Sequence, residues 1–481
     1  VGRGLSRNLR QALLALAFLP YEAAWTLDAI ARTLARLLFT HRRLLEWTPS
    51  SETDRVLAKR DRTTLAASYR AMAVAPLAAV GTGVALAAFA PAALAWAAPV
   101  LALWIASPAI AWWVSRTLAP AGADLTEGET RFLRALARRT WGWFEAHVGP
   151  EDHWLPPDNV QEAPVARTAH RTSPTNMGLA LLAGLAAHDF GYLTTGQLIE
   201  RTALALRTMA SLERYRGHFY NWYDTLTLAP LAPRYVSSVD SGNLAGHLLT
   251  LRPGLAGLAD TPILSPRWRE GLEDTFALVL EAAGPNPPAP LAEFRRSLAR
   301  AAAPHEATPG AAWAHVDRLA SGAADVEGAT APLGLEAHGW ARALARQAAA
   351  IRDDLLLFAP WLANDTHPAG IPDTGTLPTL RQVAAREGDA TATPIVLLAA
   401  ERAAARIAAL EPLARQAFAL ADMAFDFLYD RERRQLVIGY NVTDQRADSS
   451  YYDLLASEAR LALFVAIAQG QLPQESWFAL G

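Results

Sequence analysis

The chain has 481 residues, enough for more than one folding unit, and no cysteine, which excludes disulfides, thiolate metal sites and a cysteine nucleophile. Its formal net charge is −3 with both signs interspersed, so it lacks the basic footprint of a nucleic-acid binder. Fifteen tryptophans suit either a membrane interface or a polar ligand with flat apolar faces.

The sequence opens on Val1 and runs into RGLSRNLR with no secretory pattern, which suggests a fragment. Residues 1–70 read as an amphipathic, membrane-proximal segment. Within it, Glu22, Asp28, Arg32 and Arg36 interrupt the apolar run of 11–39. Those charges predict a helix at the membrane surface or against other spans rather than a full crossing. Residues 71–114 carry no charge at all and are long enough for two spans of about 20 residues, broken near Pro91. Lys59, Arg60, Arg62 and Arg70 precede this stretch, and Arg116, Arg131, Arg134, Arg138 and Arg139 follow it. The positive-inside rule therefore predicts a transmembrane hairpin over 71–117 with both flanks in the cytoplasm. Trp96, Trp104, Trp112 and Trp113 anchor its ends or pack within it. The alternative is a buried, Ala-rich helix pair in a soluble protein.

Beyond Pro120 helical patterns dominate. Residues 118–165 read as a linker and a helix: Thr126 and Glu129 form a capping box before RFLRALARRTWGWFEAHV, and a Pro-rich loop follows at 150–164. SPTNMGLALLAGLAAHDFG and TTGQLIERTALALRTMASLER predict a helical hairpin capped at Ser173 and Thr194 and stopped at Gly191. SGNLAGHLLTL (241–251) begins another helix. Several Ala- and Arg-rich helices occupy about 265–430, divided by AGPNPPAP and THPAGIPDTGTLP, and read as scaffold. RRQLVIGYNV (433–442) is the best strand candidate, leading through TDQRADSS into a helix from Tyr451. Paired helices with functional loops at one end predict a mainly α fold, an α/α barrel or toroid, with no tight repeat period.

The chain has no phosphate loop, zinc-binding His-Glu-x-x-His or nucleophile elbow, and no cofactor motif. His170, His218 and His247 read as hydrogen-bonding residues rather than metal ligands. Carboxylates among aromatics remain. HFYNWYDT (218–225) mixes four aromatics with His218, Asn221 and Asp224, and reads either as a glycan subsite wall or as an aromatic loop packed over the barrel. Asp240 falls where a loop enters a helix, as a cap or a substrate contact. In the helix expected from Tyr451, capped by Asp448 or Ser449, the residues Tyr451, Leu455 and Glu458 share a face. Glu458 then lies on an apolar stripe, paired with an arginine or kept for chemistry, and Arg460 points elsewhere. Sugars present apolar faces to aromatic rings and hydroxyl edges to Asp, Asn, Arg and His, and their cleavage needs paired carboxylates.

Three blocks carry a resemblance: AHRTSPTNMGLALLAGLAAHDFGYLT (169–194), ERYRGHFYNWYDTLTLAPLAPRYVSSVDSGNLAGHL (213–248) and the stretch from IGYNVTDQRADSSYYDLLASEARL to Gly481. They closely resemble the central region of bacterial cyclic β-1,2-glucan synthases, and LALAFLPYEAAWTLDAIARTLARLLFTHRRLLEW resembles the segment before it. The resemblance implies that 166–481 is the amino-terminal part of an α/α-barrel cyclisation domain with a helical insertion at about 255–410. It implies retaining transglycosylation that closes linear β-1,2-glucan into a ring, between a membrane-embedded transferase and a phosphorylase domain of the parent polypeptide. A bacterial inner-membrane location, soluble part in the cytoplasm, follows. Glu458 aligns with the nucleophile, and the general acid/base with a stretch beyond Gly481, so this polypeptide is expected to be inactive alone. Tyr220, Trp222, Tyr223, Tyr451 and Tyr452 are wall candidates; Asp224, Arg234, Asp240 and Asn243 are candidates for hydroxyl contacts. An inverting β-1,2-glucanase, a glycan phosphorylase and a non-catalytic tether and glycan-binding scaffold stay open as alternatives.

Overall fold

Among the described residues helices dominate, and every strand is only two or three residues long. The computed structural model describes residues 2–40, 65–115, 125–300, 309–364, 377–455 and 457–480, in two units, Val1–Asp124 and Leu125–Gly481. Lys59, Arg60, Arg62 and Arg116, with most of the 366–378 breaker, lie outside the described residues.

In the first unit the uncharged stretch forms the helices Val74–Phe89 and Pro91–Val114, which pack against each other. The break falls at Ala90, because proline lacks an N–H and is best tolerated at the start of a helix. A short helix, Leu65–Ala71, precedes this pair and is bent by 67° from Val74–Phe89. The helix Gly2–Ala35 continues through a π-helical turn, Arg36–Thr40. The charges at 28 and 32 argued against a crossing here, yet Gln11–Thr40, like Pro91–Val114, is long and apolar enough to cross a membrane. Asp28 and Arg32 sit one turn apart and pair at 2.8 Å, which reduces the cost of taking either into lipid. The Trp104 indole N–H donates to the Leu16 carbonyl at 3.0 Å, while Trp96 and Trp113 stay exposed.

In the second unit, helix Glu127–His147 begins with the expected reciprocal cap: the Thr126 N–H donates to Glu129 Oε2 (2.9 Å) and the Glu129 N–H to Thr126 Oγ1 (3.3 Å). Arg138 on this helix is fully buried, donating to Thr275 Oγ1 (2.7 Å) and pairing with Glu145 (3.1 Å) between the rings of Tyr192 and Trp340. Most buried apolar residues form two clusters. One draws on Leu155–Leu258 and Leu410–Leu472, the other on Ile263–Ala403.

Helices Pro174–Asp189 and Thr195–Ser211 start at Ser173 and Thr194, and Gly191 takes φ +78° after the first, as the sequence predicts. The helix expected from residue 241 starts earlier, spanning Ser238–Gly257, because the Ser237 hydroxyl accepts the Asp240 N–H at 3.2 Å. It is buried along most of its length, between Pro174–Asp189, Pro394–Leu420 and Ala459–Ala468. Such packing requires small residues at the crossings: a Cβ on Gly242 would lie 2.2 Å from Ala462, and one on Gly178 would lie 2.3 Å from His247.

The carboxyl-terminal expectation needs two corrections. The 433–442 strand is two strands with different partners. Gln435–Leu436 pairs with Tyr429–Asp430, and Gly439–Asn441 lies between Tyr235–Ser237 and Arg446–Ala447. The last long helix begins at Ala459, not Tyr451. Tyr451 forms a β-bridge with Val437 and its hydroxyl donates to Asp430 (2.7 Å), while Asp448 accepts the Tyr235 hydroxyl rather than capping a helix. Tyr451, Leu455 and Glu458 therefore share no helical face.

Candidate active site

The site begins where strand Tyr235–Ser237 turns into the buried helix, which puts Asp240 in its first turn. The start of helix Pro174–Asp189 lies beside it: Thr175 donates to Asp240 Oδ1 at 2.6 Å, and Asn243 Nδ2 donates to Thr175 Oγ1 at 3.2 Å. With its amide nitrogen facing Asp240 Oδ2 (2.9 Å), Asn221 also accepts the Trp222 indole N–H (3.2 Å). Trp222 is half-buried, and the Arg171 guanidinium covers one face of its ring at 4.6 Å. Asp158 holds that guanidinium at 2.9 Å.

Glu458 stands exposed at the start of helix Ala459–Ala468, which the Gly242–Ala462 contact presses against the buried helix. A helix amino terminus suits a group that must act as an anion. Burial pushes the Tyr452 phenol up, and the charges of Asp240, Glu458 and Asp448 add to the rise. Burial and its bond to Asp448 likewise raise the Tyr235 phenol. The arrangement gathers the Asp240 carboxylate, the Asn221 and Asn243 amides and the half-buried Trp222 indole. Two concavities, one at Trp141, Trp154 and Arg201 and one at Asp426, Arg434 and Glu475, hold none of these groups.

No protein-family model matches the chain. Over 489 aligned positions it is 35% identical to the cyclic β-(1,2)-glucan synthase NdvB of Rhizobium meliloti (strain 1021), an alignment covering 98% of this chain. The chain is a relative of cyclic β-(1,2)-glucan synthase. It spans 16% of the length of that synthase. A candidate glucoamylase from Bacteroides fragilis NCTC 9343 of known structure is 17% identical, over 32% of this chain and 36% of its own, with a TM-score of 0.24.

In this synthase relative the expected site residues fall into separate groups. Trp222, Asp240, Asn243, Tyr452 and Glu458 belong to the face just described. Tyr220, Tyr223 and Arg234 form a different knot around Glu213: Tyr223 is fully buried and donates to the Glu213 carbonyl (2.6 Å), the Tyr220 N–H donates to the Tyr223 hydroxyl (2.8 Å), and Arg234 pairs with the Glu213 carboxylate (3.0 Å). A ring with no exposed surface cannot stack on a sugar, so Tyr223 is core rather than wall. Tyr220 is nearly as buried, and burial raises its phenol. Asp224 closes a turn, accepting the Leu226 (3.0 Å) and Thr227 (2.8 Å) N–H groups, and the Thr227 N–H leads the causes that hold its carboxyl below the usual range. Tyr451 is tied to the 429–436 hairpin, with Arg433 over its ring.

Sequence reasoning did not single out Thr175 and Arg171, and named Asn221 only as part of HFYNWYDT. All three lie inside the resemblance blocks, but only tertiary pairing, such as Arg171 opposite Asp224, brings them together. His170 donates from Nδ1 to Asp152 (2.8 Å), and among the described residues no group of three or more potential ligands could hold a metal ion.

Proposed function

We propose that this chain carries the nucleophile side of a retaining transglycosylase that closes linear β-1,2-glucan into a ring, within a larger cyclic β-1,2-glucan synthase. The observation that supports this most is the close crossing of Gly242 against Ala462, which packs the helix that opens at Glu458 against the helix whose first turn carries Asp240. The Glu458 carboxylate attacks the anomeric carbon. The glycosidic C–O bond breaks as a carboxylic acid protonates the leaving oxygen, which leaves a glucosyl ester on Glu458. The 2-hydroxyl at the other end of the same glucan then attacks that carbon, its proton returns to the acid/base, and Glu458 departs as carboxylate.

Retention requires the two groups about 5–5.5 Å apart. Asp240 is engaged by Thr175 and Asn221 and suits holding sugar hydroxyls. The family resemblance places the carboxylic acid that protonates the leaving oxygen on another stretch of the parent polypeptide, which also supplies the transferase and phosphorylase domains. The half-buried Trp222 ring, with Arg171 over it, stacks on a glucose ring. Holding the acceptor end close raises its effective concentration over that of water, which favours ring closure over hydrolysis. The first unit anchors the assembly in the bacterial inner membrane, with the second unit in the cytoplasm.

The test is mass spectrometry of products from linear β-1,2-glucan incubated with the protein as encoded in its host and with its Glu458→Gln variant. Products one water lighter than linear chains, lost in the variant while glucan binding persists, are expected. Linear products alone mean hydrolysis and overturn the proposal.

A further inference from the structure

Helix Glu127–His147 turns a polar and aromatic side toward its own unit, through Arg134, Arg138 and Trp141. At 100° per residue its opposite side carries Phe132, Leu133, Leu136 and, two turns on, Trp143. Phe132, Leu133 and Leu136 are 67%, 46% and 50% exposed, and Leu125 just before the helix is 50% exposed. Three large apolar side chains on one exposed helix face are costly in water and call for an occupant.

We propose that this face lies in the interfacial layer of a lipid bilayer. The chemistry fits that layer: an apolar stripe, a half-buried tryptophan at its carboxyl-terminal end, and beside it Arg139, exposed and paired with Glu281 at 2.8 Å. The acidic residue closest to the stripe, Glu129, is already engaged by Thr126 in the helix cap. The chain also keeps the helix near lipid. Val114 ends a helix long and apolar enough to span a membrane, and Thr126 follows about a dozen residues later, a tether of at most about 40 Å. A surface helix this close to a span meets lipid at high effective concentration, so a modest apolar stripe suffices. The helix would set the height of the second unit above the bilayer, because Arg138 fixes it rigidly to that unit.

The absence of cysteine makes the test direct. A nitroxide spin label is attached at Phe132→Cys, at Leu136→Cys and at the exposed control Arg295→Cys, in the full chain reconstituted into phosphatidylcholine–phosphatidylglycerol vesicles. Collision with oxygen, which partitions into lipid, is compared with collision with a water-soluble nickel chelate. Labels at 132 and 136 should favour oxygen several-fold over the nickel chelate, relative to the label at 295. Free access of the nickel chelate to both would overturn the proposal by showing a solvated face. Exclusion of both reagents would also overturn it, by showing protein rather than lipid over the stripe. None of these readouts depends on catalysis.

Discussion

Gly242→Ala should separate the two helices that carry Asp240 and Glu458. The added Cβ would lie 2.2 Å from both Cα and Cβ of Ala462 and 2.8 Å from its backbone nitrogen. Carbon atoms normally pack at about 3.5–4.0 Å, so helix Ala459–Ala468 must move by about 1.5 Å, since the obstructing atoms are largely backbone. Overpacking of this kind costs about 1–3 kcal/mol. Displacement of a reacting group by about 1 Å can lower turnover about 100-fold. Gly257→Ala is the matched control: it lies at the end of the same helix with nothing within 4 Å of the new methyl. Urea unfolding and glucan turnover are measured for both variants in the encoded protein. Gly242→Ala should lose stability and nearly all ring formation, while Gly257→Ala keeps both. A Gly242→Ala protein with unchanged stability and turnover would refute the close crossing and its role in setting Glu458.

His218 provides a pH prediction. Its ring is buried, with Ser241 Oγ 2.8 Å from Nδ1, and Nε2 donates to the Ala424 carbonyl at 2.8 Å. Burial pushes its pKa down to about 4. The unfolded chain takes up this proton near pH 6.5 and the folded chain only near 4, so the contribution is intact above pH 6.5 and is lost as pH falls between the two values, by about 3 kcal/mol. Unfolding free energies should therefore fall across that window, and His218→Asn should flatten the slope. Trp222→Ala should weaken binding of linear β-1,2-glucan about tenfold, through loss of about 1–1.5 kcal/mol of stacking, read by calorimetry. Asp224→Ala should leave binding within about twofold while lowering stability by about 1–2 kcal/mol, because its carboxylate closes a turn.

Helix starts were legible wherever the signal was local. Thr126 with Glu129, Ser173 and Thr194 cap as their spacing predicts, because a cap joins residues three apart. The uncharged 71–114 stretch likewise showed its helices and their break at Ala90, since charge and proline act within the segment. Errors arose where long-range pairing prevailed. The pattern from Tyr451 onward reads as a helix, but its bridge to Val437 and its bond to Asp430 hold Tyr451 outside one, and the helix begins at Ala459. HFYNWYDT holds two short strands, His218–Phe219 and Tyr223–Asp224, and crosses the fold: His218 and Phe219 are buried, Trp222 is half-buried beside Asn221, and Tyr223 returns to the core. Asp240 and Glu458 lie more than 200 residues apart, so no local spacing could pair them. The helices that carry them meet at a glycine crossing that becomes visible only when the helices are packed.

The most direct test of the account is to trap the covalent intermediate. The encoded protein is mixed with linear β-1,2-glucan, quenched in acid within its first turnover, digested and mapped by mass spectrometry. The account predicts a peptide heavier by whole anhydroglucose residues, with the ester on Glu458. A sugar ester on another carboxylate, or turnover that never labels this peptide, would contradict it.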